Sequence, residues 1–181
     1  MFLNRKIDID TKEKTIVDYV AQAIQGDKDA FCYLIRYFEK DMNAIAMCIL
    51  KDEANVADAI GEGVLKAYKN INTLKNLNVF KSWLLKIIVN ECNAILRKNS
   101  KLVVLDKNDF EFIECNDKYE NLDIKRALEN LSPKHKIIIE LYYYQDMSVE
   151  EIGNILEISE GTVKSRLSRA RQNLYQMLRE V

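Results

Sequence analysis

The segment from Ser148 to Arg171 constrains the fold most strongly, because it predicts two short helices joined by a tight turn. Ser148 is a good N-cap, and Glu151, three residues later, completes a capping box. An apolar face follows at helical spacing in each helix, before and after a turn around Glu157. The positions expected to face a core are Ile152, Ile155, Leu156, Val163, Leu167, Ala170 and Leu174.

The second predicted helix carries its positive charge on the opposite face. From Ile158 to Arg179, Glu160 is the single acidic residue, against the basic residues Lys164, Arg166, Arg169, Arg171 and Arg179. A solvated face normally mixes both signs, so this excess favours a DNA-reading helix that lies in the major groove over an ordinary polar face. The candidate DNA-binding residues are Gly161, Thr162, Lys164, Ser165, Arg166, Ser168, Arg169 and Gln172.

Helix breakers are scarce along the whole chain. There is one proline, Pro133, and there are five glycines in 181 residues, while 48% of the residues are apolar. This composition predicts an all-α fold with a packed core.

Charge and apolar periodicity divide the chain into two helical domains joined by an acidic linker. The predicted boundaries are 1–98 for the first domain, 99–121 for the linker and 122–181 for the second domain. In the first domain we expect four helices, at about 16–24, 27–50, 55–71 and 78–98, with Gly26 ending the first and Asp27 capping the second. In the second domain, Ser132 and Pro133 predict an N-cap followed by proline at the first helical position. The linker is expected to be extended and mobile, and to compete with DNA for the basic faces.

The remaining chemistry of the chain argues against an enzyme. The four cysteines, at positions 32, 48, 92 and 115, form no C-x-x-C pair, and His135 is the single histidine, so we expect no metal site and reduced thiols. His135, in a first helical turn, is expected at the surface. No Gly-rich phosphate loop or nucleophile elbow is present, which predicts neither cofactor nor catalysis. The amino-terminal residues lack a signal peptide, and no run approaches the roughly 18 apolar residues of a membrane span, so a cytoplasmic protein without membrane insertion is expected.

Four segments, in this order and spacing, resemble the extracytoplasmic-function (ECF) sigma factors, the small two-domain initiation factors of bacterial RNA polymerase. They are GDKDAFCYLIRYF (26–38), VADAIGEGVLKAYKNI (56–71), FKSWLLKIIVNECNAILRK (80–98) and ALENLSPKHKIIIELYYYQDMSVEEIGNILEISEGTVKSRLSRARQNL (127–174). The resemblance implies a four-helix domain that docks on polymerase and opens the −10 element, and a helix-turn-helix domain that reads the −35 element. It also implies an alternative, stress- or signal-responsive factor held by an anti-sigma factor, which can be membrane-bound.

The resemblance assigns the −10 element to the loop 72–78 and to the fourth helix of the first domain. Opening a duplex without ATP needs polar groups for base edges and cations for the backbone, and this region supplies both. The candidates are Lys69, Asn72, Thr73, Lys75, Asn76, Lys81, Lys86, Asn90, Asn93 and Arg97. Among the aromatic residues, Trp83 is expected in the core, Tyr68 is undecided between packing and base stacking, and the run 142–144 is expected to pack a helix end.

The resemblance also implies docking on the clamp and flap of RNA polymerase core. Asp58 and Glu62 are the expected partners of basic groups on the clamp. Two positions depart from the family pattern near them, with Gly61 where glutamine is usual and Val64 where phenylalanine is usual; Gly61 and Gly63 each weaken the helix by about 1 kcal/mol. In the second domain, Glu157 stands where the turn usually has glycine, and Gly153 is expected to admit a partner helix at close approach.

Two other classes of protein fit parts of this pattern. One is a ligand-sensing regulator whose second domain binds an operator without polymerase. The other is a protein-interaction module that sequesters polymerase or an inhibitor. Transcription by purified polymerase core, with and without the chain, separates all three.

Overall fold

The computed structural model describes residues 14–102 and 122–179, and every regular element in these two ranges is helical. The first block, residues 14–102, contains α1 (Ile16–Ile24), α2 (Lys28–Tyr37), α3 (Glu39–Ile49), α4 (Glu53–Asn70) and α5 (Phe80–Leu102). The second block, residues 122–179, contains α6 (Leu122–Glu129), α7 (Pro133–Ile139), α8 (Val149–Leu156) and α9 (Glu160–Arg179). Short 3₁₀ turns at Ile71–Thr73 and Leu77–Val79 precede α5, and a π-helical turn at Glu140–Tyr144 follows α7. The all-α prediction is confirmed.

The capping signals in the sequence determine where several helices begin and end. Gly26, at φ +96°, follows α1, and the Asp27 carboxylate accepts hydrogen bonds from the first backbone amides of α2. Ser148 and Glu151 form the predicted capping box at the start of α8. These side chains satisfy backbone amides that have no partner inside the helix.

One predicted helix of the first block is divided in the structure, and another extends further than expected. The long second helix is divided at Phe38, where ψ changes to 9°, and the buried Phe38 ring lies 5.8 Å from that of Phe80. The apolar stripe continues through this change of direction, so periodicity alone did not reveal it. In addition, α5 runs to Leu102 and includes the first positions of the predicted linker. Linker residues 103–121 lie outside the described residues, and so does the prediction that they are extended and mobile.

Close packing of α4 on α5 forms the centre of the first block. A Cβ atom at Gly63 would lie 2.5 Å from Cδ1 of Ile88, whereas one at Gly61 would meet no atom of the described part of the chain within 4 Å. Gly63 therefore allows the two helices to approach, and Gly61 has no such packing role. Trp83 is partly buried against the core beside Phe80, as predicted.

The two blocks pack directly against each other and share one hydrophobic core. Helix α3 contacts α7, and α5 contacts α8. The buried cluster includes Ile45 and Ile88 from the first block and Ile138 and Ile152 from the second. An open cleft of about 690 Å³ remains between the blocks. Its lining includes Leu50, Val89, Asn93, Ile137, Leu156 and Arg166.

The prediction that His135 lies at the surface was wrong. His135 is 8% exposed, and its Nδ1 atom has no hydrogen-bond partner within residues 14–102 and 122–179. Burial lowers the pKa of His135, and the nearby charges of Lys134, Arg166 and Arg169 lower it further. Helix α7 packs on α9, and the sequence around His135 gives no sign of this packing.

The described cysteines differ in exposure. Cys48 and Cys92 are buried, and burial raises the pKa of each thiol to about 12. Cys32 is exposed. None of the helices described here is long and apolar enough to span a bilayer.

Candidate nucleic-acid interface

The outer face of α9 carries most of the predicted DNA-binding residues of the second block. Ser159 accepts a hydrogen bond from the backbone amide of Thr162 and so caps the helix, while Val163, Leu167 and Ala170 are buried on its inner face. The exposed residues on the outer side are Gly161, Lys164, Ser165, Ser168, Arg169 and Gln172. This arrangement presents hydroxyl, amide and cationic groups on one convex helix face, the form in which a recognition helix enters the major groove.

The turn before α9 has the geometry expected of a glycine, although Glu157 occupies it. Glu157 adopts φ 56° and ψ 44°, the left-handed conformation. The backbone amide of Ile158 donates to the carbonyl of Gly153, and a Cβ at Gly153 would lie 2.9 Å from the Ile158 carbonyl oxygen. The close approach predicted at Gly153 therefore exists: the nearest atom belongs to the turn, and Glu160 N and Val163 Cγ2 of the partner helix α9 follow at 3.9 and 4.0 Å.

Arg166 departs from the other candidates on α9. It is partly buried and lines the cleft between the blocks, beside Lys134 of α7. Thr162 is also partly buried at the start of the helix. The structure therefore separates Arg166 from the exposed face, a position that the sequence pattern did not predict.

Arg171, on the same helix, supports the second block internally. Its Nε donates to the Tyr143 hydroxyl at 2.8 Å, and its guanidinium lies 5.6 Å from the ring centres of Tyr142 and Tyr143. This contact links α9 to the turn Glu140–Tyr144, as expected if the tyrosine run packs a helix end. Tyr143 and Tyr144 nevertheless remain exposed.

In the first block, the predicted −10 residues extend along α5 and the loop that precedes it. Lys69, Asn72, Thr73, Lys75, Asn76, Asn90 and Arg97 are exposed, and Lys81, Lys86 and Asn93 are partly buried. Tyr68 is 44% exposed and contacts Phe31 edge to face, so it combines packing with an accessible ring.

The loop between α4 and α5 uses some of its polar groups to maintain its own shape. The Thr73 hydroxyl donates to the Asn70 carbonyl at 2.7 Å, and the Asn76 side-chain oxygen accepts from the Asn78 amide at 3.0 Å. Asn72 and Lys75 are exposed in the same loop. Thr73 and Asn76 therefore brace the loop, while Asn72 and Lys75 project into solvent.

Two lysines of α5 contact the second block, which the sequence did not predict. Lys81 Nζ lies 3.3 Å from Asp41 Oδ2 and donates to the Gln145 carbonyl at 3.2 Å. Lys86 Nζ lies 3.5 Å from Glu157 Oε1. Both lysines are candidates for the −10 element, so this face of α5 is partly occupied by protein.

The acidic pair predicted to dock on polymerase lies on one exposed face of α4. Asp58 and Glu62 are one helical turn apart and border an open groove of about 860 Å³ between α4 and α5. Gly61 lies between them, and Leu65, 53% exposed, follows on the same face. An apolar side chain flanked by carboxylates suits a partner surface with both apolar and basic groups.

Sequence comparison finds two family matches that correspond to the two blocks. Residues 34–102 match the family described as Sigma-70 region 2, and residues 121–174 match Sigma-70, region 4. The chain is 34% identical over 134 residues to RNA polymerase sigma factor SigV of Bacillus subtilis (strain 168), covering 73% of this chain and 81% of that relative. It is 26% identical over 186 residues to ECF RNA polymerase sigma factor SigW of the same organism, covering 93% and 100%.

Solved structures show a similar fold. The sigma factor RpoE of Bartonella quintana, in complex with the anti-sigma factor NepR, matches with a TM-score of 0.69 and 25% identity over 82% of this chain and 96% of that one. CnrH, in complex with the cytosolic domain of CnrY, matches with a TM-score of 0.63 and 20% identity, over 91% and 97%, and supports the fold.

Proposed function

Because the chain belongs to the ECF group of RNA polymerase sigma factors, which direct promoter-specific initiation and are not enzymes, we propose a division of promoter recognition between its two blocks. The second block reads the −35 element through α9, and the first block docks on polymerase through α4 and opens the −10 element through α5 and its preceding loop. The exposed cationic and hydroxyl-bearing face of α9, held by a buried opposite face, is the observation that carries the −35 assignment.

Arg169 is the residue through which the −35 assignment is best tested. It is exposed near the middle of the outer face, so Arg169→Ala should weaken holoenzyme binding by about 1–3 kcal/mol and relax selectivity at one base pair. The measurement is binding of reconstituted holoenzyme to a panel of −35 variants. Arg179→Ala is the matched control, because Arg179 is exposed at the far end of the same helix and lies over the Tyr175 ring. Equal loss on every sequence would identify a phosphate contact, and no loss would contradict the orientation assigned to α9.

The −10 assignment rests on the row of polar residues along α5 and on the exposed groups of the preceding loop. Side-chain amides can pair with the edge of an unstacked base, and lysines can neutralise the backbone. Asn72→Ala should therefore impair promoter opening while leaving the loop intact, because Asn72 takes no part in the bracing hydrogen bonds of Thr73 and Asn76.

Permanganate reactivity of unpaired thymines measures this opening directly. The Asn72→Ala holoenzyme should give a weaker signal on duplex promoter and a normal signal on a template with a pre-melted bubble. Failure on both templates would indicate a defect in docking or folding. Normal opening of the duplex would show that Asn72 takes no part in opening, and that the loop only connects α4 to α5.

Docking on the polymerase clamp is assigned to Asp58 and Glu62. Reversal of both charges, Asp58→Lys with Glu62→Lys, should weaken assembly with polymerase core, because charged pairs at an interface depend on opposite signs. Glu53→Lys, an exposed substitution at the start of the same helix, is the control. Equal assembly by the parent chain, the double variant and Glu53→Lys in a size-exclusion or fluorescence-polarisation assay would contradict this docking face.

Regulation by an anti-sigma factor is proposed from the relatives. The similar RpoE was solved with the anti-sigma factor NepR. We expect this chain to act in the cytoplasm, where polymerase and promoters are found, and to be held there by an anti-sigma factor. Recovery of the tagged chain from its own cells tests this: a bound protein that blocks holoenzyme assembly supports regulation of this kind, and the free chain or holoenzyme alone argues against it.

A further inference from the structure

We propose that the cleft between the two blocks is a binding site for a small amphiphilic anion, with a carboxylate or phosphate head group on an apolar chain. Arg166 and Lys134 hold the head group, and the apolar lining of the cleft covers the chain. This inference goes beyond the proposed function, because it needs no contact with DNA or polymerase.

The cleft has the size and composition of a small-molecule site. Its volume of about 690 Å³ falls within the roughly 300–1,000 Å³ of ligand pockets, which are mostly apolar with a few polar groups. Buried residues of both blocks line it, among them Leu50, Val89 and Ile137, and Leu96 lies beside them with 43% of its surface exposed. An apolar chain in the cleft would remove this exposed leucine surface from water, which is favourable.

The charged lining of the cleft has an excess of positive sign. Its cationic residues are Lys51, Lys134 and Arg166, and among the described lining residues Asp52 is the acidic one. The Asp52 carboxylate accepts the backbone amide of Asn55 at 2.9 Å as the N-cap of α4, where the helix dipole balances part of its charge. The remaining potential in the cleft therefore favours an anion.

Arg166 marks the position of the head group. Its side chain is partly buried, and neither Arg166 nor Lys134 forms an ion pair with another residue of the described ranges. A guanidinium without a carboxylate partner keeps its donors for an external anion, and its planar fork binds carboxylates and phosphates through two parallel hydrogen bonds. Both charges also lower the pKa of the buried His135, so their field reaches neighbouring groups.

Calorimetric titration of the full-length chain with decanoate, below its micelle concentration, tests the site. We expect saturable binding of one decanoate per chain. Affinity should rise by about two- to fourfold per added methylene from octanoate to dodecanoate, since each methylene covers more apolar surface. Decyltrimethylammonium, which has the same chain and a cationic head, should bind about tenfold more weakly. Decyl phosphate distinguishes the two sources of the head group: a preference for phosphate or for carboxylate supports the site and identifies its ligand class.

Substitution of the cations locates the bound head group. Arg166→Gln should weaken decanoate binding by about tenfold, because it removes a charge-assisted hydrogen-bonded pair. Arg179→Gln is the matched control, since it removes the same charge from an exposed position at the far end of α9, and it should bind decanoate like the parent chain. Lys134→Gln, at an exposed position, should weaken binding by about threefold and does not depend on the packing around Arg166. Thermal melting followed by circular dichroism checks that each variant is folded.

Several results would overturn the site. Equal affinity of the parent, Arg166→Gln and Lys134→Gln for decanoate would show unspecific uptake of apolar chains, as would equal affinity for decanoate and decyltrimethylammonium. Absence of saturable binding at millimolar decanoate would contradict it directly. Saturation at one decanoate per two chains would assign the cleft to a contact between two copies. Binding that requires neutralisation of the acidic residues in 103–121 would assign the cleft to that segment of the chain.

Discussion

At the scale of single residues, His135 has the clearest energetic consequence. It is 8% exposed, its Nδ1 has no hydrogen-bond partner among the described residues, and the positive charges of Lys134, Arg166 and Arg169 act on it. These conditions disfavour the imidazolium, so the pKa of His135 in the folded chain lies below its ordinary value of about 6.5. The unfolded chain therefore binds a proton first as the pH falls, and folding is weakened.

The resulting prediction is a loss of stability below about pH 6.5 that depends on this one side chain. Above that pH, the imidazole is neutral in both states and has no effect; below it, protonation of the unfolded chain lowers the free energy of unfolding. Urea unfolding at pH 7.5 and pH 5.5 should show a smaller difference for His135→Gln than for the parent chain. Parallel pH dependence in the two proteins would mean that His135 is protonated equally in both states.

At the scale of elements, α4 contains two glycines whose roles differ because of what lies opposite each. Gly61 faces open space, and Gly63 faces Ile88 of α5. Helix propensity treats the two alike, with alanine better than glycine by about 1 kcal/mol. Packing density makes them different, since added volume in a filled contact costs about 1–3 kcal/mol.

We therefore expect glycine-to-alanine substitutions at Gly61 and Gly63, two residues apart on α4, to have opposite effects on stability. Gly61→Ala should raise the free energy of unfolding by about 1 kcal/mol, because its methyl group meets no neighbour. Gly63→Ala should lower it by about 1 kcal/mol, since the helix-propensity gain is smaller than the cost of displacing Ile88. Chemical denaturation of both variants provides the measurement. Equal stabilisation by both would show that Ile88 moves aside freely.

At the scale of the whole molecule, the two blocks share one continuous hydrophobic core although their sequences match separate families. Two independent domains would be expected to unfold in separate steps, and a shared core couples them. Differential scanning calorimetry of the full-length chain should therefore show one transition, with calorimetric and van't Hoff enthalpies that agree. Two resolved transitions would show that the contact between the blocks is too weak to make them unfold together.

Local patterns in the sequence were sufficient for the helical class, several helix limits and most of the DNA-facing surface of α9. The capping box at Ser148, the N-cap at Asp27 and the spacing of Val163, Leu167 and Ala170 act over a few residues, so their geometry follows from helix periodicity and backbone hydrogen bonding. Even the left-handed turn at Glu157 was visible as a departure from a familiar pattern. What these patterns cannot specify is which other part of the chain covers a given face.

Tertiary structure alone decided the features that depend on which other element packs against a given face. The burial of His135, the rotation of Arg166 into the cleft and the division of the long helix at Phe38 each depend on a neighbouring element. The contact between Lys81 and the Gln145 carbonyl joins positions 64 residues apart, a separation at which no periodic signal survives. A lysine on a polar helix face has the same sequence signature whether it meets DNA, solvent or a distant carbonyl. Its partner is chosen by the packing of the two blocks, because only that packing brings the donor and the acceptor within hydrogen-bonding distance.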